Sequence, residues 1–232
     1  MTWDWNFAIE IFPRISKAMW ITLGATVAAY LIALTLGLVL TLLRRSSFKP
    51  LKWLTVGFIE FVRSTPPLVQ LFFLFYALPE IPYIGFSLSP FMTGALGLGI
   101  HYSTYVSEIY RSGIDSIPKS QWEAATALNF SKAHTWMKVI LPQAIPPVIP
   151  MLGNYLIVLF KETPLLSAIL VVEMLQTAKI IGSETWRYLE PITIVGLLFL
   201  LLSYPSSLLI QYVERKVNRS RSRQQTNKGV SA

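Results

Sequence analysis

Long apolar runs separated by short polar intervals set the frame of this chain. The first covers residues 18–43 and ends at Arg44 and Arg45. About twenty apolar residues rising 1.5 Å each cross a hydrocarbon core of ~30 Å, so the run predicts a membrane-spanning helix. A second run, 53–78, is interrupted by Arg63, Ser64, Thr65, Pro66 and Pro67. A charge and two prolines are costly in lipid unless protein surrounds them. A third run, 91–110, leads to Glu108 and Arg111, three apart and able to meet on one helix face. A fourth, 139–160, opens on Pro142, Pro146, Pro147 and Pro150, where irregular helix geometry is expected. The last clear run is 192–210, while 165–181 is broken by Glu173 and Lys179 and predicts an embedded or interfacial helix. Ahead of them all, Trp3, Trp5, Phe7, Ile11 and Phe12 alternate with Asp4, Asn6 and Glu10, as in an interfacial segment with aromatic anchors. The pattern predicts an all-α, polytopic membrane protein with about five transmembrane helices.

Composition agrees: 53% of the 232 residues are hydrophobic and 14% charged, against about 25% charged in soluble domains. The acidic start lacks the basic region and cleavage pattern of a signal peptide, so the first run is expected to stay in the mature protein. With no cysteine, disulfide and thiolate chemistry are excluded. The net charge of +8 does not point to nucleic acid, because the basic residues flank apolar spans instead of interleaving with aromatics. They number four in 44–53, four in 111–138 and six in 214–232. The opposite side holds Arg14, Lys17, Lys161, Lys179 and Arg187 at most, and the positive-inside rule then places the N-terminus outside and the C-terminus in the cytoplasm. The expected organisation is an extracytoplasmic interfacial segment (1–17), a transmembrane domain (18–213) and a basic cytoplasmic tail (214–232), the tail disordered.

Little in the chain suggests chemistry of its own. Gly94, Gly97 and Gly99 are not a phosphate loop, because no Gly-Lys-Ser/Thr comes after them and no strand precedes them. His101 has no spaced His, Asp or Glu to make a metal site and reads as a hydrogen-bonded packing residue. No catalytic residue, metal or resident cofactor is therefore expected.

The most polar interval between apolar runs is 118–142, PKSQWEAATALNFSKAHTWMKVILP. Ser120 and Glu123 fit a capping box, which predicts a short helix beginning near Gln121. It should end at Asn129, a residue that tolerates the left-handed conformation. Ser131 can cap a second helix, and Ala124 and Ala125 are small enough to admit another backbone. The product is helix, sharp turn, helix, on the basic cytoplasmic side.

This interval resembles the EAA loop of permease subunits in type I ATP-binding cassette (ABC) importers, through EAATALN and VILPQA, with Asn129 where that family usually has glycine. VRSTPPLVQLFFLFY is similar to the R-G-T-P-L-L-V-Q-L-F stretch of the polar amino acid branch, departing at Ser64 and Pro67. YVSEIYRSGIDSIPKSQWEAA and KETPLLSAILVVEML resemble two further stretches in the family's order, with Ser120 for a glycine and Pro164 for a serine. The overall look is similar to ectoine and hydroxyectoine importer permeases.

The resemblance implies a loop that fits a groove on an ATPase, with Ser120, Glu123, Ala124, Ala125 and Asn129 as coupling residues. It implies a helix break at Arg63 and Thr65 that lines the path of a polar amino acid or related zwitterion. The implied partners are an ATPase dimer carrying ATP and Mg, a second permease subunit, identical or homologous, an extracytoplasmic solute-binding protein and membrane lipid. The implied location is the bacterial cytoplasmic (inner) membrane.

Physical cost points to a second part of the path at Lys161, Glu162, Thr163 and Pro164. Charges at membrane depth need protein or solvent around them. Adjacent helical residues point about 100° apart, so each needs its own partner. Pro164 is expected to leave the carbonyl of Phe160 free beside them. Both charges could instead bridge to neighbouring helices or a second permease. A self-contained channel or secondary transporter, or an anchor subunit without transport, remain as other classes.

Overall fold

The computed structural model describes residues 2–83 and 85–229, with 218–229 as backbone alone, and every regular element among them is helical. The first helix starts where Asp4 accepts hydrogen bonds from the N–H groups of Asn6 and Phe7, at 3.0 and 3.2 Å. α1 then runs unbroken over Trp5–Arg44, about 60 Å at 1.5 Å per residue. The expected interfacial segment 1–17 is thus mostly the first turns of this helix. Pro13 does not end it, because Ala8, Ile11, Ile15 and Ala18 are buried in a core shared with the later helices.

Next come α2 (Lys49–Ser64) and α3 (Pro67–Phe72), the latter passing into a π segment (Phe73–Ala77) and a 3-10 turn that ends at Glu80. α2 and the α3 run meet at 103° across the Thr65–Pro66 break, so the second apolar run is a bent pair and not a straight helix. α4 (Pro90–Asp115) is the central helix. α5 (Lys119–Ala127) and α6 (Lys132–His134) form the handle. A π segment (Thr135–Ile140) joins α6 to α7 (Leu141–Glu162), which tightens into a 3-10 segment, Thr163–Ile169. α8 (Met174–Thr185) and α9 (Leu189–Gly229) close the order. α9 carries the basic stretch 214–229 as helix, where a disordered tail was expected: Glu, Arg, Lys and Gln extend a helix that its apolar part has already nucleated. Residues 230–232 of the expected tail lie outside the described residues.

Small residues bring α1 and α4 together. Ala25, Ala29, Ala33 and Gly37 recur every fourth position on the buried side of α1, the spacing that lets membrane helices approach closely. At Gly37 a Cβ would come within 2.7 Å of a Val106 methyl and 3.0 Å of the Ser103 carbonyl, so the contact needs glycine. Thr41 reinforces the seam by donating its hydroxyl to the Ser107 carbonyl at 3.0 Å. A second core joins Ala8, Ile11, Ile15 and Ala18 to Met174, Ala178 and Ile181 of α8 and to Ile194, Val195 and Leu198 of α9.

By length and apolarity three described helical runs can cross a membrane: Trp5–Arg44, Lys132–Ile169 and Leu189–Val217. The bent pair makes a fourth if it is one span. α4, at 26 residues, is long enough but more polar. Enclosure by protein explains that polarity: Thr93, His101, Ser103, Thr104 and Ser107 are all buried.

Candidate functional site

The handle is closed by backbone geometry. Asn129 has φ 58°, the left-handed value expected of it. Its N–H donates to the Thr126 carbonyl at 2.9 Å and the next N–H, of Phe130, to Ala125 at 3.0 Å, the paired bonds of a Schellman C-cap. Ser131 caps α6 as expected, accepting from the His134 N–H at 3.2 Å. The capping box does not form. α5 begins at Lys119, and Pro118, with φ −56° and ψ 141°, takes the N-cap position with no side-chain bond. Ser120 therefore sits inside the first turn, where its hydroxyl cannot cap, and Glu123 is exposed with no capping duty. Ala125 is buried, while Ala124, Leu128, Asn129 and Met137 are exposed, so the turn presents an apolar surface beside Glu123.

At the bend, prolines remove backbone donors and Gln70 replaces them. Its Nε2 donates to the Val62 carbonyl (2.7 Å), the Thr65 carbonyl (3.2 Å) and Thr65 Oγ1 (2.5 Å). The Thr65 hydroxyl folds back on Phe61 and Val62 carbonyls at 3.1 and 3.2 Å. His101 on α4 holds the other end of the amide, with Nδ1 3.2 Å from Gln70 Oε1, which makes it the hydrogen-bonded packing histidine expected. Gln70 was not among the expected site residues, and its one signal in the sequence is its place three and four residues after Pro67 and Pro66.

Arg63 leans from α2 onto α4. It donates to the Thr104 carbonyl at 2.8 Å and its guanidinium lies 4.8 Å from the centre of the Tyr105 ring. Tyr105 stacks on Tyr155 of α7 at 5.8 Å, and Tyr102 and His101 extend the aromatic group. Arg63, Tyr105, Glu108, Ile109, Ser112 and Tyr155 line a cavity of about 280 Å³. Tyr105 and Tyr155 were not among the expected path residues. Their signal was spacing: His101, Tyr105, Glu108 and Ser112 fall at i, i+4, i+7 and i+11 on α4, one helix face.

Glu108 meets Arg111 as expected. It accepts from Arg111 Nε at 3.0 and 3.1 Å and from Arg44 Nη1 at 2.8 Å. Asp115 pairs with Arg45 and Arg111 at 2.8 and 2.7 Å. This network ties α1 to the end of α4 that leads to the handle.

Lys161 is exposed and Glu162 half-buried on its neighbouring face, and neither enters an ion pair among the described residues. Their expected divergence holds. The expected free carbonyl does not: Phe160 O accepts from the N–H of Thr163 and, at 2.7 Å, from its hydroxyl. Pro164 switches the chain to 3-10 turns, whose shorter loop folds Thr163 back on that acceptor. Arg63 and Thr65 thus sit at the bend against α4, and Thr163 and Pro164 at the α7 end. Tyr102 and Tyr155, whose rings are 6.1 Å apart, stand between α4 and α7.

Charge is handled differently at the other end of α1. Glu190 is buried, pairs with Arg187 and accepts from the Asp4 N–H at 3.1 Å. Glu173, read in the sequence as an interruption, is the buried N-cap of α8, accepting from Leu175 and Gln176 N–H at 2.9 and 2.7 Å. Among the described residues no cluster of three His, Asp or Glu could hold a metal.

Comparison with known proteins gives concordant results. The family model described as binding-protein-dependent transport system inner membrane component matches residues 33–219. A probable amino-acid ABC transporter permease of Sinorhizobium fredii is 45% identical over 218 residues, covering 92% of this chain and 93% of the relative. The arginine transport system permease ArtQ of Bacillus subtilis is 34% identical over 217 residues, covering 94% and 98%. Among solved structures, an amino acid ABC transporter with histidines superposes with TM-score 0.86 at 35% identity, covering 93% of this chain and all of that one. The inward-facing MetNI methionine transporter superposes with TM-score 0.67 at 17% identity over 93% and 99% of the two chains, a likeness of fold.

Proposed function

The chain belongs to the family of binding-protein-dependent transport system inner membrane components, multi-pass permeases that are not themselves enzymes, and from that premise we propose that it forms the translocation path for an amino acid in an ATP-driven importer. The relatives' names support the cargo class, since they are amino-acid and arginine permeases. The narrower cargo, ectoine or hydroxyectoine, rests on sequence resemblance alone. In this reading α1, the bent pair, α4, the α6–α7 run and α9 are the five spans, the start of the chain is outside, and the handle faces the cytoplasm, an orientation that the distribution of Lys and Arg supports. The partners are an ATPase dimer holding ATP and Mg, a second permease and an external solute-binding protein.

The observation that carries the reading is continuity. The second arm of the handle and the helix bearing Glu162 form one helical run, Lys132–Ile169, so a force on the exposed turn reaches the path without passing through a loop. Glu123, Ala124 and Asn129 supply the exposed contact with the ATPase, Ala125 supports it from below, and Ser120 belongs to the first turn of the same helix.

The test is uptake into vesicles holding this chain, its ATPase and second permease, with binding protein outside and labelled arginine, glutamine or ectoine as probe. Uptake that needs both ATP and binding protein supports the proposal. Uptake without the ATPase would establish a channel, and a stable complex that moves no solute an anchor. Glu162→Gln should lower uptake while assembly and stimulated ATP hydrolysis persist, and unchanged kinetics would remove Glu162 from the path. Glu123→Ala should uncouple transport from hydrolysis. Since no cap is lost there, helix fraying cannot account for the effect.

A further inference from the structure

We infer that Arg63 is a binding site for the carboxylate of the transported amino acid, in the cavity walled by Tyr105, Tyr155, Glu108 and Ser112. The inference rests on the amino-acid reading above and adds a site to it. Two observations carry it.

The first is an uncompensated charge. All twelve acidic residues have described side chains, and among the described residues Arg63 enters no ion pair. Glu108, the acid that shares its cavity, is engaged by Arg44 and Arg111 instead. Among the described residues Arg63 makes one hydrogen bond, to the Thr104 carbonyl, and its Nε is buried without an acceptor. A guanidinium has five donors and matches a carboxylate with two parallel bonds. A half-buried guanidinium with its Nε shut off from solvent and most of its donors unused by protein suits an anion in the cavity beside it.

The second is the cavity itself. At about 280 Å³ it is at the small end of ligand pockets and takes a small molecule rather than a lipid or peptide. Tyr105 holds the guanidinium over its ring, with Cζ 4.8 Å from the ring centre, a cation–π contact that leaves the remaining N–H donors for recognition. The face of Tyr155 is chemically suited to the ammonium end of the same zwitterion. Glu108 and Ser112 lie toward the handle end of α4, so in the proposed topology this site is on the cytoplasmic side of His101.

The experiment uses the assembled transporter in lipid nanodiscs without binding protein, so that only sites within the membrane subunits are read. Saturation-transfer NMR compares arginine and glutamine with their α-carboxamides, which keep the ammonium and lose the carboxylate. The wild type should bind the acids about tenfold or more tightly than the amides. Arg63→Gln should erase that preference, and Arg63→Lys, a cation without the planar fork, should restore part of it. Binding-protein-stimulated ATP hydrolysis serves as the folding control. If Arg63→Gln does not assemble, the acid-over-amide ratio of the wild type and of Arg63→Lys decides. Equal binding of acid and amide by the wild type, or a preference that survives Arg63→Gln, overturns the site. No uptake of any amino acid by the complete wild-type importer would overturn the function on which the site depends. Uptake without the acid preference overturns the site alone.

Discussion

Two stretches of this chain share a pattern and fold differently. Arg63-Ser-Thr-Pro66 and Lys161-Glu-Thr-Pro164 each place a basic residue, one further residue, a threonine and a proline at the end of a helix. In both, the threonine hydroxyl returns to carbonyls of the preceding turn. Thr65 then becomes extended, with φ −111° and ψ 136°, and the chain turns by 103°. Thr163 stays helical, with φ −57° and ψ −28°, and the chain runs on as a 3-10 helix. A residue before proline disfavours the helical region, so Thr65 obeys the local rule and Thr163 breaks it.

The residues beyond each proline make the difference. Pro67 forces Pro66 to be extended as well, at φ −61° and ψ 137°, and two extended residues in succession turn the chain. Gln70 then meets the carbonyls left open. After Pro164 come Leu166 and Ile169, both fully buried in the core with Leu71 and Leu98. Their burial holds Thr163 where its local preference would not.

Gln70→Leu should break the comparison most severely. It strips the donor from the Val62 and Thr65 carbonyls and costs about 2–4 kcal/mol, read as a fall in the unfolding temperature of the purified complex. An unchanged temperature would mean that the prolines hold the bend unaided.

The handle is a third turn, made without proline, and Asn129→Val tests whether positive φ alone sustains it. A β-branched residue there should cost about 1–3 kcal/mol locally and uncouple hydrolysis from transport, while Asn129→Gly stays coupled. A fully coupled valine variant would show that the turn tolerates another geometry.

Thr163→Val, which keeps shape and removes the hydroxyl bond to Phe160, should cost about 1 kcal/mol by thermal unfolding. Thr65→Val should cost more, since that hydroxyl also accepts from Gln70. The reverse order would place the greater dependence on hydroxyl bonding at Thr163. Smallest is Pro67→Ala, expected to change stability by less than about 1 kcal/mol because Gln70 still holds the bend. A larger loss in the same measurement would transfer the credit to the proline.

What the sequence determined by itself is whatever acts within a few residues along one helix or over one apolar run. The all-helical membrane class, the left-handed Asn129, the Ser131 cap and the meeting of Glu108 with Arg111 are of this kind, because a 3.6-residue repeat fixes which neighbours meet. Local pattern misled where a second local choice was equally good: Pro118 took the N-cap that Ser120 could have filled. Only the tertiary structure decided the remainder. Glu173 could have been a charge in a membrane or a helix cap, and Phe160 O a free acceptor or a partner of Thr163. Gln70 serves a helix other than its own, Arg63 faces Tyr105 from a different helix, and Tyr105 meets Tyr155 from fifty positions away. Each depends on which groups packing brings within 3 to 6 Å, a distance that no spacing along the chain encodes.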